Sequence, residues 1–132
     1  MNYKLIKKAP PPKDYIHIRI SAGLSGRTVK AATIGLNNSL YAVHVEHKDQ
    51  IIGIGRVIGD GGCFFEIVDV AVLPNHQKKG IGKMIMNSLM EWLKKNAPKS
   101  SYVSLIADQA SFYPQFGFKS CAPDEGMYQF IK

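Results

Sequence analysis

The chain has 132 residues, 45% hydrophobic and 20% charged, with a formal net charge of +7. That suits one domain with a core that needs no disulfide or metal staple. No apolar run approaches membrane length, and Met1-Asn2-Tyr3-Lys4 lacks the apolar stretch of a signal peptide. Cys63 and Cys121 show neither CxxC nor zinc spacing. The expectation is a cytoplasmic protein with free thiols, no bound metal and no membrane association.

In chain order, Tyr3 to Lys7 reads as a short strand stopped by Pro10-Pro11-Pro12. Ile16, Ile18 and Ile20 alternate as a strand would. Pro12-Lys13-Asp14 is nevertheless a helix start, with Asp14 as cap, and Gly23 and Gly26 are stop signals, so a helix to about Ala22 is expected. A second helix spans about Thr28 to Leu36. Strands follow at Ser39 to His47 and Ile51 to Ile58, joined by a hairpin over Lys48-Asp49-Gln50. Asp60-Gly61-Gly62 marks a turn into a long apolar run from Cys63 to Leu73, rich in β-branched residues as a strand buried on both faces should be. Helix 80–96 carries Ile81, Ile85, Leu89, Trp92 and Leu93 on one face. Tyr102 to Ala107 is expected as a buried strand, Asp108 to Gln115 as a short helical turn, and Phe116 to Lys132 as one or two closing strands.

The start of helix 80–96 is chemically unusual. Lys78, Lys79 and Lys83 crowd an end where the helix dipole is already positive, and Gly80 and Gly82 weaken its first turn. An anion held there resolves both features, because glycines admit a close approach and first-turn amides point outward. A solvated basic turn is the competing reading. A P-loop is excluded, since Gln77 and Met84 stand where glycine and Ser/Thr are required, and Ile85 breaks a dinucleotide fingerprint beginning at Gly80. The other lysines are scattered and no RNA-binding signature with interleaved aromatics appears, so a phosphate-rich small molecule suits the cluster better than nucleic acid.

What remains is Gln77-x-x-Gly80-x-Gly82 after a strand ending in Val-x-Pro. This resembles the pyrophosphate loop of the GNAT N-acetyltransferase superfamily. Phe112-Tyr113-Pro114-Gln115-Phe116-Gly117-Phe118 is similar to that family's aromatic–Tyr–x–x–x–Gly–Phe signature, and the element order matches over most of the chain. The resemblance implies an α/β fold with a mixed, mostly antiparallel sheet, a β–α–β crossover and flanking helices. It also implies acetyl-CoA as co-substrate, held by Gln77, Lys78, Lys79, Gly80, Ile81, Gly82 and Lys83, with main-chain groups of Val70 and Val72 along the pantetheine arm and acetyl oxygen.

By the same resemblance Tyr113 is the acid that protonates the departing thiolate, although a packing tyrosine among phenylalanines would read the same way. Glu66, fourteen residues before Gly80 in an apolar strand, corresponds by position to a family base, with a half-exposed surface glutamate as the alternative. Asp69 is the second choice, on the opposite face by strand parity unless a bulge intervenes. Where many members carry asparagine, seven residues before the tyrosine, this chain has Ile106, with Asp108 nearby as a substitute. His44 and His47 face opposite sides and make a poor metal pair, His17 and His76 stand alone, and Arg56 and Asp60 read as hairpin ties.

The acceptor implied is a small-molecule primary amine, entering between the first two helices and the later strands. Phe64, Tyr128 and Tyr41 are available as aromatic walls, and Asp60, Glu66, Asp69, Asp124 and Glu125 could receive a cationic acceptor. Protein lysine or N-terminal amines are a second acceptor class. A non-catalytic acyl-CoA sensor would not need Tyr113 or Glu66, and a nucleic-acid-binding domain is third. A homodimer stays open.

Overall fold

Prolines, glycines and polar caps decide where the elements begin and end in residues 2–132, which the computed structural model describes; Met1 lies outside them. Strand β1 (Lys4–Ile6) is followed by helix α1 (Pro12–Ser21), which starts on a proline in its first turn. The capping position belongs to Pro11, so Asp14 is not the cap. It sits within the first turn instead, where its carboxylate faces the positive end of the dipole. Ile18 is buried and Ile20 exposed, the outcome of helical rather than alternating spacing. Helix α2 (Val29–Asn37) is capped by Thr28, whose Oγ1 accepts the Ala31 N–H at 3.1 Å.

Strands β2 (Tyr41–His47) and β3 (Gln50–Gly59) form a hairpin whose two loop residues, Lys48 and Asp49, have φ of 50° and 61°. Positive φ at both positions matches the right-handed twist of the strands. Strand β4 (Phe64–Val72) leads through a 3₁₀ turn, Pro74–His76, to helix α3 (Ile81–Asn96) and then to strand β5 (Tyr102–Ser104). The sheet order is β1-β2-β3-β4-β5, antiparallel except for the β4–β5 pair, which α3 connects in parallel. Helix α1 packs on β3 and β4, whereas α3 covers β2, β3 and β4. Among the described residues no helix is long and apolar enough to cross a membrane.

Helix α3 buries Ile81, Ile85, Met86, Leu89 and Leu93, a stripe worth roughly 1.5–3 kcal/mol per fully buried side chain. Trp92 stays at the margin and stacks on Tyr41, ring centroids 5.5 Å apart. The helix comes this close because β3 presents Gly55 beneath it, where an added Cβ would overlap Ile85 Cγ2.

Two expectations fail at the carboxyl end. The strand from Tyr102 ends at Ser104, because β4 offers partners only at Phe64, Phe65 and Glu66 before it bends away. No strand forms between Phe116 and Lys132. The 3₁₀ turns Ala110–Phe112 and Pro114–Phe116 replace the single helical turn, and beyond them the chain is irregular and mostly exposed. Gly117, Pro123 and Gly126 interrupt its apolar residues, and a three-residue edge strand gives little to pair with.

The bend in β4 is a bulge. Ile54 pairs with Ala71 but Arg56 pairs with Val68, so Asp69 and Val70 together oppose the single residue Gly55. Asp69 adopts φ 62°, a region few non-glycine residues enter. Residues opposite each other in a ladder share a face, which puts Glu66 (opposite Ile58) and Val68 on the face of Arg56, under α1 and α2. Asp69 bonds Arg56 and α1, so the bulge returns it to that same face and reverses the parity expectation.

Candidate active site

Where β4 parts from β5, a cleft of about 350 Å³ opens. Its walls are Val70–Val72 of β4, the turn and first residues of α3, and Asp108, Gln109, Phe112 and Tyr113 from the segment after β5; Ala22 and Leu24 complete the lining.

The turn owes its shape to its own residues. Gln77 is extended, and its side-chain amide donates to the Val72 carbonyl at 2.9 Å, tying the turn to the end of β4. Lys78 (φ 61°) and Gly80 (φ 83°) are left-handed, and Gly80 caps α3. Nothing lies within 4 Å of where a Gly80 Cβ would stand, so the missing side chain leaves open space. The first intrahelical bond runs from the Met84 N–H to the Gly80 carbonyl at 3.0 Å. The amides of Ile81, Gly82 and Lys83 precede it, in the positions a helix leaves without internal partners, and all three residues line the cleft. Phe112 covers the helix start, its Cζ 3.5 Å from a Cβ built on Gly82. Free amides, a dipole and adjacent lysines fit a pyrophosphate.

Tyr113 sits where one 3₁₀ turn passes into the next, 9% exposed, with Phe112 and Phe118 edge-on at 5.1 and 6.3 Å. Burial, and after it the Asp108 carboxylate, push its phenol above the usual tyrosine value. The hydroxyl therefore keeps its proton at neutral pH, as a donor to a leaving thiolate must. Asp108 lines the cleft, while Ile106, seven residues before Tyr113, is exposed.

The fold thus gathers Val70, Val72, Gln77, Lys78, Gly80, Ile81, Gly82, Lys83 and Tyr113 around one space. Lys79 and Glu66 are not part of its lining. Lys79 is exposed on the turn, and Glu66 is half-buried on the α1/α2 face, before the strands separate.

Asp69 does not have the freedom of a base. Its side chain is 5% exposed, and it accepts from the Tyr15 hydroxyl (2.9 Å), Arg56 Nε (2.6 Å) and Arg19 Nη1. Burial, with the neighbouring Asp69 charge next, raises the Tyr15 phenol and keeps it a donor. Asp60 is likewise engaged, accepting from the amides of Gly62, Cys63 and Phe64 at 2.8–3.0 Å. Arg56 ties strand to helix rather than closing a hairpin, donating to Gly35 O at 2.9 Å and Ser39 Oγ at 3.0 Å.

Tyr41 lies on the α3 face, its hydroxyl 2.8 Å from Ser88 Oγ, and so cannot wall an acceptor channel under α1 and α2. Phe64 is exposed and meets Tyr102 edge-on, and Tyr128 packs on Phe130, over which Arg27 lies. His76 is not isolated. It lines the cleft, its Nδ1 is 2.9 Å from the Tyr3 hydroxyl, and the Tyr3 and His47 rings meet it edge-on. Asp108, offered as the substitute for the absent asparagine, does reach the cleft, whereas the places of His76, Ala22 and Leu24 escaped the sequence reading because long-range packing brings them there and no local pattern marks them.

A family model described as an acetyltransferase (GNAT) domain matches residues 38–120. A protein of meticillin-resistant Staphylococcus aureus, described as "Probable Acetyltransferase", is 44% identical, with a TM-score of 0.91 over 99% of each chain. A GNAT family protein from Streptococcus pneumoniae TIGR4 shares the fold at a TM-score of 0.78, 24% identical over 99% of each chain. The curated "Uncharacterized N-acetyltransferase ycf52" of Pyropia yezoensis is 32% identical over 104 residues, 74% of this chain and 59% of that protein. The chain therefore spans about three fifths of that relative's length. The family model covers more than half of the residues and so includes the glycine turn at the head of α3 and Tyr113; the chain belongs to the GNAT acetyltransferase family.

Proposed function

We propose that this protein is an N-acetyltransferase that moves an acetyl group from acetyl-CoA to the primary amine of a small molecule by direct attack on the thioester. The observation that carries the reading is the convergence, on one cleft, of the α3 first-turn amides, the β4 main chain and a buried phenol. Acetyl-CoA supplies the acyl group already activated as a thioester. The amides of Ile81, Gly82 and Lys83 hold its pyrophosphate, with Lys78 and Lys83 adding charge. Main-chain groups of Val70 and Val72 align the pantetheine arm and polarise the acetyl carbonyl. The amine attacks that carbon, the C–S bond breaks, and the Tyr113 hydroxyl gives its proton to the thiolate. The attacking nitrogen loses its surplus proton through water to Glu66, on the acceptor side of β4.

The irregular carboxyl-terminal segment, with Tyr128 and Phe130 beside Arg27, supports a small acceptor rather than one that needs a regular recognition surface. The surplus of positive charge disfavours a polyamine at long range. Thermal melting with acetyl-CoA, coenzyme A and a short DNA duplex tests the reading. Acetyl-CoA at a hundred times its Kd should stabilise the fold by about 2.7 kcal/mol. No shift at millimolar acetyl-CoA would sink it, and a salt-sensitive shift with DNA alone would point to nucleic acid instead.

A further inference from the structure

A buried charge cluster centres on Asp69, whose side chain is 5% exposed. Two guanidinium groups and a phenol converge on one carboxylate. Arg19 spends its other donors on Ser25 O (2.9 Å) and Ser25 Oγ (3.2 Å), and Arg56 on Gly35 O and Ser39 Oγ. One side chain of β4 is thereby fastened to α1, to the loop after it, to α2 and to β3. That side chain belongs to the left-handed residue of the bulge.

Its place in the strand matters. The ladder to β5 ends at Glu66, and the cleft wall begins at Val70. Asp69 lies between them, where β4 has lost its neighbour on one side and turns Val70 toward the cleft. Gly55 has no side chain to resist this, and Val70 Cγ2 comes within 3.7 Å of the place its Cβ would occupy. We propose that Asp69, clamped by Arg19, Arg56 and Tyr15, is a positioning residue that sets the β4 bulge and so aims the Val70 main chain at the acyl carbonyl. The inference rests on the acetyl-CoA reading above. It separates two tasks: the α3 turn supplies affinity, and the charge cluster beneath the bulge supplies alignment of the reacting bond.

The test uses Asp69→Asn and Tyr15→Phe in the full chain, with acetyl-CoA labelled with carbon-13 at the carbonyl. Calorimetry reads affinity for coenzyme A, and difference infrared spectroscopy reads the bound carbonyl stretch, which moves to lower frequency when the oxygen is hydrogen-bonded. The wild type should show that shift. Asp69→Asn should lose it with little change in coenzyme A affinity, and Tyr15→Phe, which leaves both ion pairs in place, should lose part of it. If Asp69→Asn fails to fold, Tyr15→Phe decides. A folded variant that keeps the full wild-type shift overturns the positioning role. Wild-type binding without any carbonyl shift also overturns it and leaves the cofactor reading standing. If the wild type binds neither acetyl-CoA nor coenzyme A, both readings fall.

Discussion

In the proposed reaction Tyr113 joins packing and chemistry in one side chain. Phe112 and Phe118 exclude water around it, and that burial, reinforced by Asp108, keeps its phenol protonated beyond the ordinary tyrosine range. Tyr113→Phe preserves the packing and removes the proton. Thiol release across an amine panel should fall by about 10²–10⁴-fold, the usual yield of a positioned acid, while coenzyme A binding persists. Asp108→Asn should shift the tyrosinate absorbance titration of Tyr113 to lower pH, since an anion that opposes ionisation has gone. An unmoved titration would mean that burial alone sets the value. Gln77 illustrates a different division of labour. It belongs to the motif, but its amide is engaged with the Val72 carbonyl, so it builds the turn while main-chain groups face the cleft.

At the level of elements, β3 and α3 determine each other's spacing. Gly55 lets α3 settle onto the sheet, and Ile85 and Leu89 fill the space left above it. Gly55→Ala should cost about 1–3 kcal/mol, because the new methyl meets a β-branched side chain that has nowhere to turn. Gly62→Ala, with only Asp60 Oδ1 at 3.9 Å, should be close to neutral. Calorimetric melting of the two variants checks the pair, and equal Tm values would refute the packing argument. Helix α3 and most of its buried face were legible in the sequence because a sixteen-residue element repeats its signal over four turns. The expected closing strands were not, because alternation within Phe116–Lys132 says nothing about whether a sheet edge is there to receive it. That edge is three residues long, and β4 has already turned away from it.

For the whole molecule, the pH dependence of stability follows from groups that folding shifts. Tyr15 and Tyr113 are raised above the ordinary tyrosine value of about 10, so near that pH the unfolded chain has lost protons that the native chain retains. Their contribution is complete below about pH 10 and disappears as pH rises through the native values. His76 runs the other way: desolvation, then His47 and Lys79, lower it, so its contribution is present above its unfolded value and is lost as pH falls through the native one. Melting temperature against pH should show a plateau with an alkaline fall, and the fall should weaken in Tyr15→Phe. Identical alkaline limbs in variant and wild type would remove Tyr15 from the account.

Tyr113 was singled out by its likeness to a family signature, whereas from the residues alone came the α/β class, the order of elements down to the fifth strand and the anion-ready turn. Each of these three is written in local spacing, through helical periodicity, β-branched runs, prolines and paired glycines. The tertiary structure alone decided that Asp69 rejoins the Glu66 face as a saturated ion-cluster residue, that Tyr41 lies under α3, and that His76 reaches the cleft. It also decided that the chain after Gly117 forms no strand. These depend on a one-residue bulge and on contacts between residues far apart in sequence, such as the thirteen positions from Arg56 to Asp69 and the fifty-four from Tyr15. A periodic pattern fixes which side of its own element a residue occupies. Where that side ends up depends on the partner strand, and a bulge reverses it without changing a letter of the pattern.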